Sequence, residues 1–497
     1  NGIFAFAIYD RLHNKILLCR DRFGVKPLYY SFTEQGLIVA SEIKAILKVC
    51  PKDFNMQAIY DYLKYGLIAH NNQTFFEGIY SLEAAHLLEY DLISKKAKKI
   101  RYWDLPDDNT KCVSTDEEEV LSKTYSMLRD AMRLNMVSDV EVAVSLSSGT
   151  DSTLLLKLAQ ERSTRIKAFT FGFEESNYDE VRRIREETKL RDVEWHTVYM
   201  KRSEMLPTVK EAIYYFETPI GGVGTLSAYN MMKEVHRQNI KVMLSGEGSD
   251  ESFGGYRYYF PAFFKDVEHD SNLLKNELEA YSLAHGHRVK PFSQEYHKMI
   301  ALIDKEAVLA PDGTGEHISH ESKALKDIVR QTQKERAKRF SGSFKQIMYD
   351  DLVTKKLPKL LHFQDRAGMA NSVETRVPYL DHRLVTFIYS LPETFKIRQG
   401  QSKYLIRKIL KDIYGCTHTR KTKHYVATPQ REWLRTKAIC DQILGIVKEG
   451  RLKRMNLVDL RQFEKDYLKY VDSRDLGNSF FVWKIINLEY FLNQKWI

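Results

Sequence analysis

Two short segments hold the residues best suited to chemistry. The first, Ser147-Ser148-Gly149-Thr150-Asp151-Ser152-Thr153, follows an apolar run at 141–146 and leads into Leu154-Leu155-Leu156. A loop of small residues between a strand and a helix N-terminus leaves backbone N–H groups facing an anion. The hydroxyls of Ser147, Ser152 and Thr153 add donors. Asp151 repels phosphate on its own, but it suits a divalent cation such as Mg²⁺ that bridges phosphates. No Gly-Lys-Ser/Thr follows, so this is not a P-loop. Taken alone, the segment could equally be a corner whose Ser and Asp merely cap the helix.

The second segment repeats the pattern. A run at 241–244 enters Ser245-Gly246-Glu247-Gly248-Ser249-Asp250-Glu251, followed by Phe253-Gly254-Gly255-Tyr256. Loops at the carboxyl ends of adjacent parallel strands open into one crevice. Asp151 and Asp250 could then share one Mg²⁺, which leaves Glu247 for acid–base work. Three acids at buried strand ends with no such purpose would be costly.

The elements that must position these loops are legible from periodicity. Residues 1–103 carry short alternating runs at 3–9, 15–19, 36–40 and 84–90, so mostly antiparallel sheet is expected. Residues 104–119 are polar, contain Pro106 and end in an acidic helix start, and they read as a linker. From 120 to 497 strands and helices alternate: helix 118–134, strand 141–146, helix 151–160, then strands 166–173, 193–199 and 241–245 with helices between. That order predicts a parallel sheet covered on both faces, and beyond about 260 the chain becomes helix-rich.

Bulk properties narrow the class. The chain has 497 residues, 43% hydrophobic and 29% charged, the profile of a soluble globular protein of two to four domains. The net charge of +10 is spread widely, with no RNA-binding or helix-turn-helix signature, so nucleic acid is not an expected partner. No apolar run is long enough to span a membrane. Cys19, Cys50, Cys112, Cys416 and Cys440 are scattered and odd in number, which fits a reducing, cytoplasmic setting without disulfides or zinc. Tyr256, Tyr258, Tyr259 and Phe260 are expected in the core or at a subunit contact, a homodimer being the assembly considered.

At this point the residues resemble the glutamine-hydrolysing asparagine synthetase family. The first loop is similar to its Ser-Gly-Gly-x-Asp-Ser pyrophosphate loop, and the more specific second loop to its Leu-Ser-Gly-Glu-Gly-Ser-Asp-Glu. Further matches, in order, are Arg20 to Tyr29, Ser41-Glu42-Ile43-Lys44-Ala45, Asp365-Arg366-Ala367-Gly368-Met369-Ala370, Glu374 to Asp381, and Ser402-Lys403. The resemblance implies a PP-loop (adenine nucleotide alpha hydrolase-like) α/β synthetase domain with a parallel sheet. Before it would stand a partial α+β antiparallel-sheet N-terminal-nucleophile glutaminase domain, and after it a helix-rich C-terminal part. It further implies that Ser147, Ser148, Gly149, Asp151 and Ser152 hold ATP phosphates, with Asp151 and Asp250 on Mg²⁺. Phe171 and Gly172 would lie against adenine, and Ser245 and Gly246 would face the nucleotide. Lys403 would neutralise the departing pyrophosphate, and Glu247 would take a proton from ammonia. The implied reaction is ATP-dependent amidation through an acyl-adenylate, of aspartate or another carboxylate, with ammonia from glutamine. A catalytically inactive scaffold is the competing reading from another class, and a ring-closing relative is disfavoured by Glu247.

Three departures from the family pattern stand out. The N-terminal Cys nucleophile and the glutamine-gripping segments have no counterpart, and Asn1-Gly2 aligns with the middle of the glutaminase domain. Residues 1–103 are therefore expected to be its second half, in a fragment unable to hydrolyse glutamine alone. Ser148 replaces the first loop glycine, a strained choice if that position needs positive φ. Lys421-Thr422-Lys423-His424-Tyr425 replaces a Pro- and Gly-bearing segment, so the acceptor carboxylate is the weakest-specified substrate. Asp365, Arg366, Glu374 and Arg376 are expected to form an ion-pair network in the helical region, and His362 and His382 to be packing or surface residues. Lys403 is expected on a helix.

Overall fold

Alternating apolar residues build two small antiparallel sheets at the start of the chain. The computed structural model describes residues 2–107, 114–178, 180–187, 192–286, 288–303, 320–329, 339–416, 428–473 and 477–496. Strands β1 (Ala5–Asp10), β2 (Lys15–Arg20), β6 (His86–Asp91) and β7 (Ala97–Arg101) pair in the order β1-β2-β6-β7. Strands β3 (Tyr29–Thr33), β4 (Gly36–Ala40) and β5 (Tyr80–Ser81) pair as β4-β3-β5. Leu18, Tyr30, Leu88 and Tyr90 turn inward at alternate positions and join the two sheets in one apolar cluster. Sequence periodicity had not indicated β3, β5 or β7. Part of the linker expected at 104–119 lies outside the described residues; its end is a helix, Glu117–Asn135, whose N-cap Asp116 accepts the Glu119 amide.

The second region is a five-stranded parallel sheet. Its strands are β8 (Val142–Ser145), β9 (Ile166–Phe173), β10 (Val193–Met200), β11 (Val242–Leu244) and β12 (Glu374–Arg376), in the order β10-β9-β8-β11-β12. Successive residues on the inner strands face opposite cores. Ala143, Phe169 and Met243 join the cluster that includes helices Met205–Phe216 and Val223–Arg237. Val144, Ala168 and Leu244 join the one that includes helices Thr150–Gln160 and Tyr404–Asp412. Two apolar faces explain why these strands read as continuous hydrophobic runs. The edge strand β12 comes from a stretch expected to be helical. Its three residues are Glu, Thr and Arg, with only Thr375 buried, so neither period nor polarity marks it.

The antiparallel and parallel regions meet across a charged seam. Lys26 pairs with Asp365 at 3.2 Å. The buried carboxylate of Glu217 accepts the amides of Ile43 and Lys44 at 2.9 and 2.7 Å, and pairs with Lys44 and Arg366. Asp365 and Arg366 thus hold the seam, whereas Arg376 pairs with Glu374 along β12 itself. In place of the expected single network there are three separate pairings, Asp365 with Lys26, Arg366 with Glu217 and Arg376 with Glu374.

His362 sits in the same seam. Its Nε2 lies 2.9 Å from the Phe216 carbonyl, and Tyr29 Oη is 3.4 Å from Nδ1. Burial, reinforced by the Arg366 guanidinium, pushes its pKa from 6.5 down to about 3. A histidine kept neutral in the folded state gives its full stability above pH 6.5 and loses it as the pH falls toward 3. The loss is of order 5 kcal/mol at most, at 1.36 kcal/mol per pKa unit. His362→Asn should flatten the decline of the thermal midpoint between pH 6.5 and 4 relative to the parent protein; an unchanged slope would exclude His362 as its source.

Candidate active site at the sheet switch point

Strand order sets the crevice. From β8 the chain builds outward through β9 and β10, then returns to place β11 on the other side of β8. The loops leaving β8 and β11 therefore diverge at the switch point, where open α/β sheets bind ligands. The register pairs Val144 with Leu244, so both loops begin at the same level. They touch: a Cβ on Gly246 would lie 3.3 Å from Asp151 Cβ.

Lys403 closes this crevice. Its Nζ bonds to Asp151 Oδ2 and lies 2.7 Å from Asp250 Oδ1. The lysine side chain is 3% exposed against 17% and 19% for the two aspartates, so the cation is dry while both carboxylates reach the crevice. Burial alone would lower the lysine pKa; the Asp151 and Asp250 carboxylates outweigh it and raise the value above normal. Lys403 is not inside a helix as expected. It is the N-cap of helix Tyr404–Asp412 in the left-handed region, at φ 57°. A non-glycine residue there costs about 1 kcal/mol or more, a strain that clusters at functional sites.

The β8 loop is internally braced. Ser147 N–H donates to Ser152 Oγ at 3.0 Å, and Gly149 N–H to Ser147 Oγ at 3.2 Å. Ser148 N–H donates to Glu180 Oε1 at 2.5 Å. Three amides of the loop are thus engaged within the protein. The hydroxyls expected to serve as donors are engaged too, Ser152 with the Ser147 carbonyl and Thr153 with the Gly149 carbonyl, each at 2.9 Å. The loop's remaining offer to an anion is the first-turn amides of helix Thr150–Gln160, which have no partner within the helix itself. Ser148 is not among the residues with positive φ, so serine carries no strain there.

The β11 loop is held from β12 and from below. Ser245 N–H donates to the Arg376 carbonyl at 2.9 Å, and Gly248 turns the chain at φ 86°. Tyr379 Oη donates to the Asp151 carbonyl at 2.9 Å and fixes the other loop. Glu251 is fully buried. Burial, then the neighbouring Asp250 charge, pushes its carboxyl up to about 8, so it is protonated at neutral pH and accepts from Tyr256 Oη at 2.6 Å. Glu247 is half-buried on the same turn.

Phe171 and Gly172 end the neighbouring strand β9. Gly172 is a packing position, since an added Cβ would meet Val181 Cγ2 at 3.0 Å and the Tyr199 ring at 3.2 Å. Lys421 to Tyr425, the segment expected near the acceptor carboxylate, lies outside the described residues.

A model described as asparagine synthase matches residues 123–493, and one described as a glutamine amidotransferase domain matches residues 1–103. The chain belongs to the asparagine synthase family. It is a carbon–nitrogen ligase of that type, with an antiparallel glutaminase-type region at 1–103, then the PP-loop α/β fold and a helix-rich C-terminal part. Similar proteins include asparagine synthetase [glutamine-hydrolyzing] 1 of Bacillus subtilis, 26% identical over 98% of this chain and 78% of that protein. Asparagine synthetase [glutamine-hydrolyzing] 2 of the same organism is 29% identical over 85% of this chain and 55% of its own length. Amidase chry2 of Gibberella zeae is 24% identical over 87% and 70%. Among the described residues no helix is long and apolar enough to cross a membrane.

Four positioning residues carry no signal that sequence reasoning used. Glu180 and Arg407 lie outside the quoted motifs; Tyr379 and Gly255 lie inside them without an assigned role. Arg407, one turn after Lys403, is buried and donates to the Ser402 carbonyl at 2.7 Å. An added Cβ on Gly255 would sit 1.9 Å from Asp250 Oδ1 and 2.2 Å from Lys403 Cε. Gly255→Ala should therefore disrupt the Lys403–Asp250 contact and destabilise the fold by about 1–3 kcal/mol, as overpacking does. Thermal denaturation checks this, and a parent-like midpoint would refute it.

Proposed function

We propose that this enzyme adenylates a carboxylate and transfers ammonia to it, with aspartate as the acceptor, asparagine as the product and glutamine as the original ammonia source. The observation that carries the reading is Lys403 gripping Asp151 and Asp250 at the switch point. A carboxylate oxygen attacks the α-phosphorus of ATP and the bond to the bridging oxygen breaks, releasing pyrophosphate. Ammonia then attacks the acyl carbon, AMP departs, and Glu247 takes the proton shed by nitrogen. Lys403 and the first-turn amides of helix Thr150–Gln160 meet charge that develops on phosphate from fixed positions. Phe171 lies on the adenine side, and Ser245 and Gly246 border the nucleotide.

The chain's donors fit Mg²⁺. Lys403 draws Asp151 and Asp250 together at the crevice, and no cluster of three acidic, His or Cys ligands occurs among the described residues. Two carboxylates completed by substrate phosphates are what this ion accepts. Bound there, it would supply charge neutralisation for the leaving pyrophosphate. Lys403→Met leaves the two carboxylates facing each other without a cation. Mg²⁺ alone should then raise the thermal midpoint of that variant more than that of the parent; equal shifts would count against a shared site.

Amidation of a different carboxylate is the second reading, favoured by the similarity to an amidase as well as to synthetases. Pyrophosphate release with ATP, Mg²⁺ and ammonium across a panel of carboxylates separates the two: release only with aspartate supports the first, release with none defeats both. Glu247→Gln should still release pyrophosphate yet form amide more slowly by about a hundredfold or more, the usual range for a lost general base. Parent-like amide formation would remove Glu247 from that role.

A further inference from the structure

The β8 loop is braced by a carboxylate that comes from the next strand's connection. Glu180 opens helix Glu180–Glu187, and its side chain is buried. Its Oε1 accepts the Ser148 amide at 2.5 Å, and its Oε2 lies 3.7 Å from Arg183. Two apolar anchors set the carboxylate there. Val181 and Ile184 are 2% and 0% exposed, and Val181 seats against Gly172, where a side chain would collide with it. A chain of contacts thus runs from the end of β9 through Val181 and Glu180 to the loop after β8.

We infer that Glu180 is a positioning residue for the nucleotide's phosphates, acting through the Ser148 amide. It touches neither of the gripped aspartates nor Lys403 in any recorded contact. By holding the Ser148 N–H it fixes the Ser147–Ser148 peptide plane, at the start of the loop. The bonds within the loop, among them the Ser147–Ser152 hydroxyl pair at 2.9 Å, carry that constraint to the start of helix Thr150–Gln160, whose first-turn amides are left for the phosphates. A buried anion beside a phosphate seat is electrostatically unfavourable, so its retention is explained by the bond it accepts rather than by its charge. This inference rests on the nucleotide reading of the switch point.

The test uses the full chain and Mg²⁺ with a non-hydrolysable ATP analogue as the probe. Glu180→Ala should weaken analogue binding about tenfold, the equivalent of one charge-assisted hydrogen bond, and speed hydrogen exchange of the peptide that contains Ser148. Glu180→Gln keeps an oxygen acceptor without the charge and should restore binding to within about threefold and restore slow exchange. The KM for ammonium should be the same in all three proteins. Parent-like binding by Glu180→Ala, or Glu180→Gln as defective as Glu180→Ala, overturns the assignment. A parent protein that fails to bind the analogue overturns the nucleotide reading together with it, whereas exchange at Ser148 unchanged by Glu180→Ala overturns the brace alone.

Discussion

One buried ammonium shared by two carboxylates organises this site. Lys403 lies almost wholly out of water, and an isolated lysine there would lose its proton; Asp151 and Asp250 keep it charged. The aspartates belong to loops that start from neighbouring strands, so the lysine also ties the two sides of the switch point together. Each partner constrains the others. The lysine bridges the carboxylates, and it needs them to remain a cation.

Everything nearby serves that convergence. Gly255 leaves the volume that Asp250 and the lysine stem occupy, and Lys403 accepts a left-handed backbone in order to enter from the start of its helix. Tyr379 fixes the carbonyl of Asp151, and the Arg376 carbonyl holds Ser245 at the end of β11. Breaking a buried ion pair by removing one partner is far more damaging than never having built it. The surrounding packing therefore matters as much as the three charged groups.

Much of this was legible in the sequence, for identifiable reasons. The long apolar strand β9, helix Glu117–Asn135 with its Asp116 cap and the leucine-rich helix Thr150–Gln160 have bounds that match expectation to within one residue. The acids and glycines of both loops are conspicuous by type. What escaped had no local pattern. Strand β12 is three residues of mixed polarity whose pairing with β11 is purely tertiary. Glu180 is one acid among many on a polar helix, and only its placement beneath Ser148 distinguishes it. The backbone of Lys403 could not be read either, because a lysine at positive φ violates the local preference that sequence reasoning relies on.

The apolar core has one more consequence. Helix Met56–Tyr65 near the start packs in the same cluster as helix Phe480–Asn493, and Phe491 stacks among Phe54, Phe75 and Phe76. Lys484 Nζ donates to the Leu63 carbonyl at 2.5 Å. A growing polypeptide leaves the ribosome amino end first, so the early helix stays solvent-exposed along one side until residues 480–493 have emerged. Chaperone demand during synthesis should accordingly include residues 54–76, whose partners follow about four hundred residues later.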